Sequence, residues 1–152
     1  MAAMRSVETP LGAFGIVEED EAIIALRWGA KGGDARSALL DEAAAQLQAY
    51  AEGRLKVFDL ALRPKGTAAE QRVFGAMRAI DWGETRSYGE IGAELDLPAR
   101  VVGQCCGANP IPVIIPCHRV SAADGLGGFS APGGVESKVM LLRHEGAFSL
   151  LI

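Results

Sequence analysis

No stretch of this sequence stays apolar for the roughly 20 residues that a membrane-spanning helix needs, so no membrane partner is expected. Cysteine is scarce: there are three, and Cys105 and Cys106 are neighbours. An odd, partly adjacent set is not a disulfide framework and points to a reducing, cytoplasmic setting. Histidine is scarcer still, with two, and neither Cys nor His precedes residue 105. No spacing of the two residue types fits a zinc site, so no metal is expected. Glycine is plentiful but scattered, and no glycine-rich loop opens a helix, which excludes the phosphate-cradling class of nucleotide site. Met1 to Thr9 has neither a long apolar core nor a cleavage pattern, so no leader is expected.

Positive charge is short as well. Lys and Arg number 15 against 19 Asp and Glu, a net charge of −4. Residues 1–64 hold 7 basic against 10 acidic side chains, and residues 65–152 hold 8 against 9. Neither half is a basic domain, and the broad electrostatic footprint of a nucleic-acid binder is missing. Charge alone argues against nucleic acid. A local patch would have to come from Arg72, Arg78, Arg86, Arg100 and Arg119.

At 152 residues the chain can bury a core as one or two small domains. Alternation and turn residues predict a strand pair over Val7–Val17, turning at Thr9–Gly12, and a further strand over Ala22–Trp28. Leu39, Leu40, Ala43, Leu47 and Tyr50 give one apolar face to a helix over Ser37–Ala51. Phe58 and Leu60 predict a short strand, and Arg63–Thr67 a linker. The second half reads as mainly helical. Thr67 caps a helix to about Ile80, and Ser87 with Glu90 forms a capping box for a short helix carrying Tyr88, Ile91 and Leu95. Pro98 suits the first turn of the next helix, which runs to about Ala108. Two short helices joined by a tight turn read as helix-turn-helix. A last helix runs from Gly134 or Val135 to Glu145, with Val135, Val139 and Leu142 inward. The fold class is therefore α/β. Residues 1–64 form a small antiparallel sheet with a helix, and residues 65–152 a mainly helical domain with helix-turn-helix.

The chemistry concentrates at Pro116-Cys117-His118-Arg119, directly after the apolar run Ile111–Ile115, which reads as a buried strand ending in proline. A thiolate is the strongest ordinary side-chain nucleophile at neutral pH, and an adjacent imidazole and guanidinium favour it. The competing reading is a small buried hydrophobe, the usual role of a lone cysteine in apolar surroundings. In a regular strand Cys117 and His118 would point to opposite faces, so the segment must bend at Pro116 for the pair to meet.

The wider pattern resembles the O6-alkylguanine-DNA alkyltransferases, also called methylated-DNA–protein-cysteine methyltransferases. The residues that carry the resemblance are Ser87–Ile91, Ala99–Gly103, Asn109–Val120, Gly128–Ser130 and Leu141–Gly146. It covers the C-terminal half well and the N-terminal half loosely. It implies transfer of a methyl or small alkyl group from O6 of guanine in double-stranded DNA to Cys117, once per molecule, by a monomer. No cofactor is expected, because the lesion supplies the electrophilic carbon. Some relatives carry a zinc site in the N-terminal half, which this chain, without Cys or His there, cannot form.

His118 and Glu145 activate Cys117 by the logic of a triad, while His144, the alternative base, is better explained as a dipole-compatible residue in the last helical turn; by the same resemblance Tyr88 helps protonate the leaving guanine. Asn109 bridges the helix-turn-helix to the Cys117 segment; its rival role is a plain helix-end cap. Arg100 is the finger that enters the base stack when the nucleotide is extruded, against the default of a solvated surface arginine. Ala99 and Gly103 let the second helix approach DNA closely, although small residues also serve internal packing, and Arg119 is placed among the DNA contacts. Phe129 and Ser130 line the substrate pocket. Many relatives have Tyr at the position of Phe129 and lack the inserted Ala131-Pro132, which implies a reshaped pocket wall. Two rival functions stand beside this one: a non-catalytic lesion binder, against which Cys117 argues, and a Cys-His hydrolase, which would turn over many times.

Overall fold

The computed structural model describes residues 2–123, 125–129 and 133–147 and divides into two compact units, residues 1–65 and 66–152. In the first unit, β1 (Ala3–Thr9), β2 (Gly12–Glu19) and β3 (Ala22–Trp28) form an antiparallel sheet in the order β1-β2-β3. Register is held by cross-strand pairs such as Phe14 opposite Trp28, whose rings stack with centroids 5.2 Å apart. Helix α1 (Ala38–Ala51) starts at Ser37, whose hydroxyl accepts from the Leu40 amide, and buries Leu40, Ala43, Leu47 and Tyr50. Residues 33–35 pair along the outer edge of β1, so that edge offers no template for a further strand.

The short strand expected at Phe58 and Leu60 is not formed. Phe58 instead lays its ring against Tyr50 of α1, centroids 5.3 Å apart. The chain meets the sheet later, where the Ile23 amide donates to Ala61 O and the Arg63 amide to Ile23 O, both at 2.8 Å. Two alternating apolar residues are too short a signal to separate a strand from a segment packed on a helix.

The second unit begins at α2 (Ala68–Arg78), closed by a capping box between Thr67 and Glu70 and burying Val73, Phe74 and Met77. A second capping box, Ser87 with Glu90, starts α3 (Tyr88–Leu95). Asp96 turns the chain in the left-handed region and Pro98 leads into α4 (Ala99–Gly107). The turn needs Gly92, because a Cβ there would lie 2.4 Å from Leu97 O. Val102, Cys105 and Cys106 are the buried residues of α4. Just before α3, β4 (Arg86–Ser87) pairs in parallel with β5 (Val120–Ser121). This pairing, which local sequence patterns do not announce, ties the start of α3 to the segment after Arg119.

The strand expected over Ile111–Ile115 is a buried turn instead. Asn109 closes it: its Oδ1 accepts from the Ile111 amide at 3.0 Å, and its Nδ2 donates to Ile115 O at 2.8 Å. Pro110 and Pro112 have no amide hydrogen to give a ladder, and Val113 takes φ +73, outside any strand. The run is apolar because it is buried, not because it is pleated. The last helix, α5 (Val135–His144), is also rotated from expectation. Its buried residues are Ser137, Lys138, Leu141 and Leu142, while Val135 is 43% exposed.

Candidate active site

Cys117 opens a single 3-10 turn, Cys117–Arg119, and its amide is fixed to Ile115 O at 2.8 Å. The turn supplies the bend that a strand would have denied, so three consecutive chemical side chains leave the backbone in different directions. All three are buried, with His118 fully so. Burial pushes the Cys117 thiol up, while a hydrogen bond from Asn109 and the Lys138 ammonium pull against that.

His118 Nε2 stands 2.8 Å from Glu145 Oε2, and its Nδ1 has no hydrogen-bond partner among the described residues. Burial pushes the imidazole below its ordinary value, opposed by Glu145, so the resting ring is neutral and donates Nε2–H to the carboxylate. Burial pushes Glu145 up, but its partners outweigh that and hold it well below the usual carboxylate range. The hydrogen bond to His118 is the largest of these lowering influences and the Arg119 guanidinium adds to it; Arg119 is the partner whose charge is permanent. Arg119 Nε donates to Glu145 Oε1 at 2.8 Å, Nη2 to Oε2 at 3.0 Å, and Nη1 to Ile80 O at 2.6 Å.

The placement of Arg119 corrects the sequence reading. Its side chain is buried and fully engaged inside the unit, so it is not available to a DNA phosphate. Arg86, also counted in the basic patch, pairs with Glu94 at 3.2 Å. Arg72 is exposed but donates to Leu95 O at 2.6 Å. Arg78 and Arg100 remain exposed. His144, the alternative base, sets its ring edge-on against Trp82 at 5.3 Å and belongs to a different contact.

One buried cation near the thiol escaped the sequence reading altogether. Lys138 on α5 is completely buried, and its Nζ donates to Val120 O at 2.6 Å, to Gly128 O at 3.3 Å, and to Leu126 O. Burial pushes its pKa down to about 8, opposed by the nearby Cys117 and Cys106. The spacing Lys138–Leu141–Leu142–Glu145 places Lys138 on the buried stripe of α5, the one signal that could have found it.

A cavity of about 560 Å³ opens beside the thiol, lined by Tyr88, Ala99, Arg100, Gly103, Cys106, Gly107, Cys117, Gly128 and Phe129. It unites α3, α4, the 3-10 turn and the segment before α5. Tyr88 is half-buried at its wall, and burial with the two nearby thiols holds its phenol protonated. Gly127 lies at φ +72, and a Cβ there would come within 2.9 Å of the Tyr88 hydroxyl. Asn109 and Glu145 are buried and are not among the lining residues. Ser130 lies outside the described residues, as do Ala131 and Pro132. Among the described residues no cluster of three or more metal-ligating side chains occurs, and no helix is long and apolar enough to cross a membrane.

Comparison with known proteins adds independent findings. A family model described as 6-O-methylguanine DNA methyltransferase, DNA binding domain, matches residues 68–147. Another, described as 6-O-methylguanine DNA methyltransferase, ribonuclease-like domain, matches residues 4–64. A methylated-DNA–protein-cysteine methyltransferase of Methanosarcina acetivorans is 45% identical over 109 residues, covering 70% of this chain and 69% of the relative. One from Mycolicibacterium paratuberculosis is 37% identical over 155 residues, covering 95% of this chain and 93% of the relative. The crystal structure of Mycobacterium tuberculosis OGT in complex with DNA superposes with a TM-score of 0.83 at 36% identity, covering 96% of this chain and 94% of that one.

Proposed function

This chain belongs to the 6-O-methylguanine DNA methyltransferase family, and from that premise we propose that Cys117 accepts the alkyl group of O6-alkylguanine in double-stranded DNA, once per molecule. The chain is a DNA-repair alkyltransferase that works by transfer to a protein cysteine. Residues 65–152 carry the acceptor and the DNA contacts in this reading, residues 1–64 form the α/β domain, and the protein acts as a monomer. The observation that carries the assignment of the acceptor is the cavity itself: Cys117 lines it and is followed directly by the buried His118–Glu145 pair.

The chemistry runs on this chain's own groups. The Cys117 S–H bond breaks as its proton is relayed through one water molecule to His118 Nδ1, which has no hydrogen-bond partner among the described residues, and the imidazolium is compensated by Glu145. The sulfur lone pair forms a bond to the alkyl carbon while that carbon's bond to O6 breaks. The electrons of that bond leave on guanine, which needs a proton, and the Tyr88 hydroxyl at the cavity wall is the donor assigned to it. The product is a thioether, which has no good leaving group, so the cysteine is not regenerated. Lys138 lends a positive charge to the forming thiolate and pins three carbonyls of the segment that walls the cavity.

Guanine O6 in a duplex is paired and stacked, so a fixed buried thiol requires the base to be extruded, at a cost of a few kcal/mol. The exposed Arg100 at the cavity rim fills the vacancy, since a planar guanidinium can stack and donate to neighbouring bases. Ala99, Gly103 and Gly107 keep that face of α4 low enough for close approach to the groove. Phe129 gives the cavity an apolar side for the alkyl group. Incubation with a duplex carrying labelled O6-methylguanine tests the reading. Label should move to the wild-type chain and not to Cys117→Ala; transfer to a Cys117→Ala protein that still folds would overturn it.

A further inference from the structure

Glu145 is pulled in two directions. Burial favours the protonated acid, and against it stand the hydrogen bond to His118 at 2.8 Å and the Arg119 guanidinium, of which only Arg119 carries a permanent charge. A protonated Glu145 could donate to His118 Nε2. The imidazole would then carry its own hydrogen on Nδ1 and lose the lone pair that deprotonates a thiol. A carboxylate only accepts, so facing one, Nε2 must carry the hydrogen and Nδ1 stays open. Arg119 meets the carboxylate with a fork, Nε on Oε1 and Nη2 on Oε2, and is itself fixed by Ile80 O. Two parallel charge-assisted bonds orient the acid as well as ionise it.

We propose that Arg119 is a positioning residue of the transfer reaction: by gripping both oxygens of Glu145 it keeps the acid ionised, fixes His118 as the Nε2–H tautomer, and leaves Nδ1 as the base for Cys117. The proposal rests on the acceptor reading of Cys117 above. Among the described residues, the charged groups that act on the pair include Arg119 from the 3-10 turn and Lys138 from α5, and Ile80, just past α2, gives its carbonyl to Arg119. Both cations disfavour the imidazolium. His118 therefore passes a proton on rather than storing it, and the resting pair holds one hydrogen, on Nε2.

The test is the pH dependence of Cys117 alkylation by free O6-benzylguanine, which needs no DNA contact. In Arg119→Met, Glu145 and His118 both gain proton affinity, so the acidic midpoint of the rate should rise by at least one pH unit. Arg119→Lys keeps the charge without the fork, and its midpoint should fall between the two. A merely structural arginine would lower the unfolding midpoint of Arg119→Met and leave the pH midpoint of the folded fraction in place, which overturns the proposal. Should Arg119→Met not fold, side-chain ¹⁵N spectra of His118 decide. The wild type should show the Nε2–H tautomer, and Arg119→Lys should show it depleted at the same pH. An Nδ1–H tautomer in the wild type, or identical spectra, would overturn it. Failure of the acceptor reading looks different: the wild type would carry no label on Cys117 at any pH.

Discussion

The Asn109 side chain spans the turn that presents the thiol, accepting from Ile111 N at 3.0 Å and donating to Ile115 O at 2.8 Å. It does so across a backbone in which Val113 holds φ +73, a conformation that costs a β-branched residue of order 1–3 kcal/mol. One amide thus satisfies two buried main-chain groups and restrains a strained segment.

Asn109→Ala should therefore leave a buried N–H and a buried C=O unpaired. Each such group costs about 1–3 kcal/mol, so urea unfolding should show a loss of about 2–6 kcal/mol. Transfer should fall for free base and duplex alike, since the fault lies beneath the thiol. A loss under about 1 kcal/mol would mean that the turn holds itself.

Lys138 gives a pH signature. Burial lowers its folded pKa to about 8 from the ordinary lysine value of 10.5. Between those values the unfolded chain keeps a proton that the folded chain has released, so this group's contribution to stability rises with pH. Below about 8 the full penalty of burying the charge is present. The stability difference between wild type and Lys138→Met should move in favour of the wild type from pH 8 upward, by an amount of order 3 kcal/mol in all. A flat difference across that range would show that Lys138 titrates normally.

Glu145 has the opposite sign. Its depressed pKa contributes stability that is fully present above the ordinary carboxylate range and lost as pH falls toward about 2. Glu145→Gln leaves the Arg119 guanidinium buried without that counter-charge, at a cost of about 3–5 kcal/mol at neutral pH. The gap between variant and wild type should narrow as acid titration protonates the wild-type acid. Denaturant curves at pH 7 and pH 3 measure it; an unchanged gap through pH 2 would contradict the assignment.

The parts visible in the sequence are those set by local signals. Ser87 and Glu90 announce α3, Thr67 announces α2, and the alternation of Ala22–Trp28 matches β3 residue for residue. The misreadings share a cause, which is that burial is decided by tertiary packing. Ile111–Ile115 looks like a strand because a short apolar run has no period of its own. The sequence counts Arg119 among the DNA contacts and gives Lys138 no role because lone cations are normally solvated, yet here one meets Glu145 and the other three carbonyls. The pairing of β4 with β5, residues 86–87 with 120–121, is non-local and leaves no mark in either segment.

Arg100 should matter only where a base must leave a stack. Arg100→Ala should slow transfer from duplex DNA at least tenfold more than transfer from free O6-benzylguanine, since it removes the group that offsets a few kcal/mol of extrusion. Binding should weaken only shallowly with salt, because few cations are free to meet phosphates. Equal slowing on both substrates would assign Arg100 to the fold instead of the finger role.

The central claim is that Cys117 alone accepts the alkyl group, and only once. Cys106 lines the same cavity, but burial pushes its thiol to about 12, with its Sγ 3.5 Å from Met77 Sδ. It should remain an unreactive thiol. The most direct measurement is mass spectrometry after exposure to excess O6-methylguanine duplex. Uptake should saturate at one methyl per chain, and fragment-ion sequencing of the tryptic peptide 101–119, which holds all three cysteines, should place it on Cys117. A methyl on Cys105 or Cys106, or methyl release that continues beyond one equivalent, would contradict the account.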